Sequence, residues 1–398
     1  MEFLDVIVLV ASFMVLLGIG VPIGWSIGLS SVITMLVSID FIPAVTTVAQ
    51  RFATGLDSFT LLAIPFFILA GQMMNQGGIA RRLIDFAKAL VGGLPGGLAF
   101  VNIIAALFFG AISGSAVAAA SAIGGIMGPR MEQEGYDRSY SAAVNITSAT
   151  TGLVVPPSNI LIVYSLASGG VSIAALFLAG YMPGILVGFM LMLVAGVIAK
   201  RKDYPVGKFE GFGYVLKTFW DALPSLFLLV LVIGGIVAGY FTATEASAIA
   251  VLYTFLLSFV FYREAGYGEL PQILLDSVKT TAVVMLLIGT SMSLSWVMSY
   301  SNIPQSVSEA LLSISSNDII ILLIINILLL MVGTFMDMTP AVLIFTPIFL
   351  PVVTAMGIDP IHFGIIMVLN LCVGLTTPPV GTVLFVGCGV ADISITRI

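Results

Sequence analysis

Long apolar runs alternate with short polar clusters along the whole chain. Residues 4–18 and 22–38 are two such runs. GIGVPIG at Gly18–Gly24 separates them, so they read as a tight transmembrane hairpin. Residues 58–75 form another apolar helix, entered through LDSF, where Asp57 and Ser58 are expected as helix caps. In IARRLIDFAKAL (Ile79–Leu90) apolar residues recur every three or four positions, with Arg81, Arg82, Asp85 and Lys88 elsewhere. That pattern predicts an amphipathic helix lying at the membrane interface. Residues 97–112 are apolar again, followed by SGSAVAAASAIGGIMG at Ser113–Gly128. This stretch is too rich in Gly, Ala and Ser for an ordinary lipid-facing span. Two readings stay open: a re-entrant helical hairpin at about 113–128 with its tip near Ser113–Ser115, or a small-residue packing face. After a charged loop at Pro129–Arg138, residues 139–165 cross through a pair of prolines and 173–199 cross back.

The second half follows the same plan. Residues 222–240 and 245–262 turn at FTATEAS, where Thr242 and Glu245 have the spacing of a capping box. Apolar segments follow at 280–298, 304–313 and 319–333. GTFMDMTPAVLIFTPIFL takes the place of the first hairpin at about 333–350, and residues 361–387 hold a second proline pair. GLVVPPSN at Gly152–Asn159 and GLTTPPVG at Gly374–Gly381 are separated by 222 residues. At that same offset Pro129 falls on Pro351, Gly135 on Gly357, Asp137 on Asp359 and Ser172 on Ser394, without a gap. The expected organisation is therefore a first repeat at 1–199, a basic linker at 200–217 and a second repeat at 218–398. The linker holds five of the 14 Lys and Arg residues, which places it in the cytoplasm. Counting every apolar run as one crossing puts both hairpins on the wrong faces for an inverted repeat. At least one run per copy, or each amphipathic helix, must do something other than cross once. The counterpart of 173–199 would begin near Ile395, so a final helix of about 20 residues is expected to be missing from the sequence.

Proline inside a helix removes one N–H and displaces the carbonyl four residues back. Pro156 and Pro157 thus free the carbonyls of Gly152 and Leu153, and Pro378 and Pro379 free those of Gly374 and Leu375. In hydrocarbon such backbone persists only where it lines a protein cavity or holds an ion. Hydroxyls crowd both breaks: Thr147, Ser148, Thr150, Thr151 and Ser158 in one, Thr376, Thr377 and Thr382 in the other. Oxygen ligands without a carboxylate cage suit Na⁺ better than a transition metal. Duplicated broken helices at matching positions point to the binding site of a secondary transporter, whereas one isolated pair would read equally as a kinked span. Asp337, the counterpart of Ser115, is the only acid in the middle of a predicted membrane element. It is read either as a neighbour of an ion site or as the cap of one hairpin arm.

Composition narrows the class. Of 398 residues 59% are hydrophobic and 9% charged, and mean hydropathy is +1.17. Soluble domains carry about a quarter charged residues, so this is an all-α polytopic membrane protein. The opening MEFLDVIVLV has neither a basic n-region nor a small-residue cleavage site, so no removed signal peptide is expected. Two cysteines, Cys372 and Cys388, predict neither a structural disulfide nor a metal site. The net charge of −6 is spread thinly and offers nothing to a nucleic acid. His362 reads as a solvated helix start.

These residues resemble the large membrane subunit of tripartite ATP-independent periplasmic (TRAP) transporters, of the ion transporter superfamily. The matching motifs are GVPIGWSIG, LDSFTLLAIPFFILAGQMMNQGGIARR, FGAISGSAVA, the PPS at 156–158, SIAALFLAGYMPG, FTATEA, MDMTP and LTTPPVG, in order from residue 20 to 387. Where the usual family sequence has Asp or a similar polar residue after SGSAVA, this chain has Ala118–Ala120. The family ends with one more helix. The resemblance implies a Na⁺-driven importer of a bacterial inner membrane, using no ATP. It takes an acidic organic solute (sialic acid, a C4-dicarboxylate or a related carboxylate) from a periplasmic binding protein. A small four-helix membrane subunit is the second implied partner. The implied fold has two inverted repeats, and a scaffold past which a transport domain moves like an elevator. The family's Na⁺ sites would fall on Ser113, Ser115, Thr150 and Gly152, and on Gly333, Thr334, Asp337, Gly374 and Thr377. Solute would lie near Pro156, Pro157 and Ser158 and near Pro378, Pro379 and Val380, where helix N-termini favour its carboxylate.

Two other classes compete. Re-entrant elements also build channel filters, so a Na⁺-independent facilitator or an ion channel stays open; accumulation against a gradient separates them. An intramembrane hydrolase would need a nucleophile and base, or paired acids, at membrane depth, and Asp337 has no such partner in the sequence.

Overall fold

The structure is a computed structural model that describes residues 2–207, 211–315 and 317–398; 208–210, within the expected linker, lie outside the described residues. The described residues form nineteen α-helices and no strand. The first half contains α1 (Glu2–Gly18), α2 (Ile23–Ser38), α3 (Phe41–Leu56), α4 (Ala63–Gln76) and α5 (Ile79–Val91). It continues through α6 (Gly97–Ser113), α7 (Ala116–Gln133), α8 (Arg138–Ala149), α9 (Thr151–Val154), α10 (Asn159–Ala167) and α11 (Ile173–Arg201). The second half contains α12 (Phe212–Val237), α13 (Ala243–Phe255) with a π-helical extension (Leu256–Phe261), α14 (Leu270–Tyr300) and α15 (Ile303–Ile314). It ends with α16 (Asp318–Phe335), α17 (Met338–Ala355), α18 (Pro360–Leu375) and α19 (Thr382–Ala391). Seven described helical segments are long and apolar enough to cross a membrane; α8–α9 and α10, bent by 51° at the first proline pair, meet the same length and composition only when taken together.

Packing recurs with the sequence offset. A shift of 222 residues superposes the bounds of α7 on those of α17. α7 packs on α19, and the shifted counterparts, α17 and α10, pack on each other. The same exchange relates α2 on α14 to α13 on α4. Thr150 and Cys372, themselves 222 apart, meet directly, the thiol donating to the Thr150 carbonyl at 3.4 Å. A residue touching its own counterpart is the contact expected beside a two-fold axis.

Four details differ from the sequence reading. α3 falls in a stretch taken as connection, because FIPAVTTVAQRFATGL breaks its apolar positions with Thr, Gln and Arg. Asp57 closes α3, and Ser58 precedes a 3₁₀ turn (Phe59–Leu62) without a side-chain capping bond, so neither residue caps the helix as expected. α14 begins at Leu270 with Pro271 in its first turn, ten residues earlier than the 280–298 segment, since proline at N1 or N2 costs no helical bond. Each hairpin consists of two full-length arms. The first turns at Gly114–Ser115 between α6 and α7, so 113–128 is its tip and part of its second arm; the second turns at Met336–Asp337 between α16 and α17. Gly114 has φ +63°, and Ser115 accepts a hydrogen bond from Ala118 N at 3.2 Å, which together let the chain turn there.

Other expectations are met locally. Thr242 and Glu245 form both bonds of the capping box. Both cysteines are free, and His362 is exposed at the start of α18. The amphipathic α5 packs between α6 and α12. The start of the linker is held to the α7–α8 loop by stacked Tyr136 and Tyr204 rings, 4.6 Å apart, and by Lys202 on Asp137 at 3.4 Å.

Candidate functional site

Two close backbone approaches set the geometry. Gly152, just before the first proline pair, lies on Gly110 of α6, so that a side chain on it would strike Gly110 Cα and the Ala111 nitrogen. Gly374 lies on Gly333 of α16, where a Cβ would stand 2.7 Å from Gly333 Cα. Each break is thereby pressed against the first arm of its own hairpin, which only glycine permits. Ser113 and Thr334, at the ends of these arms, are both buried. Thr334 Oγ1 donates to the Met331 carbonyl at 2.7 Å, and the Thr334 carbonyl accepts the Gly381 N–H at 2.9 Å.

The breaks themselves are built differently. In the first, Pro156, Pro157 and Ser158 are buried, and the Ser158 hydroxyl donates to the Leu153 carbonyl, one of the two that the prolines free. Thr150 turns inward on its own helix, with Oγ1 donating to Thr147 O at 3.1 Å. In the second, Val380 stands where Ser158 would, and Pro378, Pro379 and Val380 are exposed. Thr377 Oγ1 donates to Val373 O at 2.7 Å. The carbonyls of Leu375 and Thr377 converge on Gly381, 2.9 and 2.8 Å from where a Cβ would stand. Gly381 has φ +51°, so glycine both permits this backbone and lets the two carbonyls and Leu384 approach this closely. Backbone carbonyls are hard oxygen donors of the kind an alkali cation takes.

A cavity of about 360 Å³ lies between the two hairpin tips. It brings together Ser113, Ser115 and Asp337 from the expected set. Asp337 occupies the N-cap position of α17 but makes no side-chain capping bond, leaving its carboxylate on the cavity wall. Thr150, Gly152, Gly374 and Thr377 of the breaks, Gly333 and Thr334 of α16 and the six expected solute residues do not line it.

Instead the wall carries side chains that the sequence reading did not single out: Gln72 and Asn75 of α4, Asn159 of α10, Thr280 of α14 and Thr339 of α17. Asn159 Oδ1 is buried without a hydrogen-bond partner among the described residues. Gln72 and Asn75 are polar interruptions of an apolar helix, three residues apart on one face, and that spacing was the signal available. The cavity size fits a small organic solute, since ligand pockets run from roughly 300 Å³ upward.

The sequence profile of the tripartite ATP-independent periplasmic transporter family, DctM component, matches residues 10–398. The uncharacterized protein YgiK of Salmonella typhimurium is 57% identical over 393 residues, covering 99% of this chain and 90% of that protein. The C4-dicarboxylate TRAP transporter large permease protein DctM of Pseudomonas aeruginosa is 41% identical, covering 91% of this chain and 84% of its own. The isethionate TRAP transporter permease protein DctMQ of Oleidesulfovibrio alaskensis is 40% identical over 98% of this chain, which spans 61% of that longer protein. Among solved structures, the YdaH transporter of Alcanivorax borkumensis aligns with a TM-score of 0.61 at 14% identity, over 91% of this chain and 84% of that one. At that identity the likeness is one of fold.

Proposed function

Because this chain belongs to the DctM family of TRAP transporters, as a multi-pass permease of a bacterial inner membrane and not an enzyme, we propose that it imports a small organic acid coupled to Na⁺. The observation that carries this reading is the second break, where the Leu375 and Thr377 carbonyls surround the bare Gly381 beside the cavity that Asp337 lines. Na⁺ held there, and a second ion near Ser113, Ser115, Thr150 and Gly152, would offset the charge of an anionic solute. Gln72, Asn75 and Asn159 would hydrogen-bond that solute.

The solute class is a carboxylate or sulfonate, such as a C4-dicarboxylate, sialic acid or isethionate. A periplasmic binding protein delivers it. A small four-helix membrane subunit braces the permease; the DctMQ relative, longer than this chain, is consistent with such a partner. The offset-related packing supports two inverted repeats. α1–α4 and α12–α14 then form a scaffold, α6–α11 and α16–α19 a transport body, and α5 and α15 the arms between them.

The test is uptake by proteoliposomes holding this protein, a small subunit and a binding protein loaded with succinate, sialic acid or isethionate. An inward Na⁺ gradient is imposed or omitted, with Thr377→Val alongside. Uptake of one acid that needs both Na⁺ and the binding protein, and fails in the variant, is the expected result. Uptake indifferent to Na⁺ sinks the coupling, and an unimpaired variant sinks the assigned ion position.

A further inference from the structure

Away from the central cavity, a cleft of about 540 Å³ opens between α5, α12 and the end of the π-helical extension. Arg81, Arg82, Lys217, Trp220, Asp221 and Tyr262 line it. One wall is fixed. Glu264 holds Arg81 at 2.7 Å and Arg82 at 2.8 Å, and the Arg82 guanidinium lies 3.6 Å over the Tyr262 ring. The Tyr262 hydroxyl bonds Ser225 Oγ and the Asp221 carbonyl, both at 3.2 Å, pinning the extension to α12.

The other wall is open. Lys217 and Asp221 are exposed one turn apart on α12, and neither side chain is in an ion pair or hydrogen bond among the described residues. Asp85 also faces the cleft and pairs with Arg130 at 3.9 Å. Phe261 belongs to this cleft and to a neighbouring, mostly apolar groove that runs along the extension, lined by Tyr253, Leu256, Leu257 and Val260 with Arg263 as its one charged residue. Phe261 and Trp220 are 68% and 62% exposed at the charged end, the position of an aromatic belt at a membrane surface. Lys217 closes the basic stretch 200–217, so by the positive-inside rule this is the cytoplasmic leaflet.

A charged cleft joined to an apolar groove at the interface has the shape of a lipid. We propose that it binds a phospholipid whose head group carries both a phosphate and an ammonium, the phosphoethanolamine class. Lys217 and Arg81 take the phosphate, Asp221 takes the ammonium, and one acyl chain lies along Leu256, Val260 and Phe261. A wholly anionic head group would meet Asp221 and Asp85. A free phosphate would leave the groove unfilled.

Native mass spectrometry tests this on the protein purified with equal amounts of phosphatidylethanolamine and phosphatidylglycerol, then washed in detergent. The wild type is expected to retain one phosphatidylethanolamine in preference to phosphatidylglycerol. Lys217→Ala should lower retention about five-fold, the factor for one basic side chain at a lipid surface. Asp221→Ala should erase the preference between the two lipids, and Phe261→Ala should weaken retention of both. Lys217 and Asp221 are exposed, and unchanged thermal unfolding of their variants confirms an intact fold. Equal retention of the two lipids by the wild type, or retention unaffected by Lys217→Ala, overturns the proposal. So does quantitative loss of the lipid when the small membrane subunit is added, since the cleft is then a protein interface. The measurement reads lipid alone, and its failure leaves the Na⁺-coupled reading untouched.

Discussion

The two proline breaks occupy matching positions and solve the same backbone problem in opposite ways. At the first, Ser158 returns a hydroxyl to the Leu153 carbonyl, α11 covers Val154 and Val155 through Gly180 and Gly184, and the Asn159 amide lies on Gly114 at the hairpin tip. At the second, Val380 has no donor to return and Gly381 has no side chain. Its N–H goes across to the Thr334 carbonyl, and the Leu375 and Thr377 carbonyls crowd against it. Of the carbonyls the prolines free, Leu153 O is taken by Ser158 in the first break and Gly374 O by the Thr377 N–H at 2.9 Å in the second, where Leu375 O has no such hydroxyl to accept from. Substituting the two residues that differ tests whether that distinction is functional.

The largest effect is expected at Gly381. Gly381→Val puts a branched side chain among the Leu375 and Thr377 carbonyls and strains a residue at φ +51°. Na⁺-stimulated uptake in proteoliposomes should fall roughly 10–100-fold, the usual cost of disturbing groups around a bound ion. Asn159→Ala, at the corresponding position, should leave the Na⁺ dependence unchanged and raise the solute concentration needed for half-maximal uptake. Equal loss of Na⁺ dependence in both variants would erase the functional difference between the breaks.

Stability should show the reverse ranking. Ser158→Ala leaves the buried Leu153 carbonyl without a donor, at a cost of about 1–3 kcal/mol. Val380→Ala touches an exposed side chain and should stay within about 0.5 kcal/mol. Reversible unfolding of the two purified variants in mild detergent compares them directly. A Ser158 variant as stable as the wild type would mean that the first break does not depend on its hydroxyl.

Both breaks were legible because Gly, Pro and Asp are sparse and each constrains backbone wherever it stands. Pro156, Pro378, Asp137 and Asp359 therefore marked their elements without any structure. The cavity wall was not legible to the same degree. Gln72, Asn75 and Thr280 lie on α4 and α14, far in sequence from the hairpin tips, and only tertiary packing brings them to Ser113 and Asp337. α3 escaped for a different reason, since its side chains are too mixed for an apolar run. The hairpin bounds were shifted because small residues identify a tip and its second arm, while the first arm, α6, looks like any other apolar helix.

The smallest expected difference lies at the helix starts that lead into the breaks. Asp137 caps α8 by accepting from Ser139 N at 2.8 Å, and Asp359 caps α18 by accepting from Ile361 N at 2.7 Å. The Ser139 N–H, helped by Lys202, holds the Asp137 carboxyl below its usual range. A depressed carboxylate contributes stability that is complete above its unfolded pKa and is lost as pH falls through the folded value. Asp137→Ala should therefore cost about 0.5–2 kcal/mol near pH 7 and progressively less below about pH 4. The Asp137–Lys202 pair is half-exposed, so its share is small and screened. Unfolding midpoints of Asp137→Ala and Asp359→Ala, each at low and high salt, separate the cap from the pair. If salt narrows the gap between them, Lys202 accounts for what distinguishes the first helix start from its copy. If salt leaves the gap unchanged, the two caps differ for reasons local to each turn, and the ion pair contributes nothing measurable.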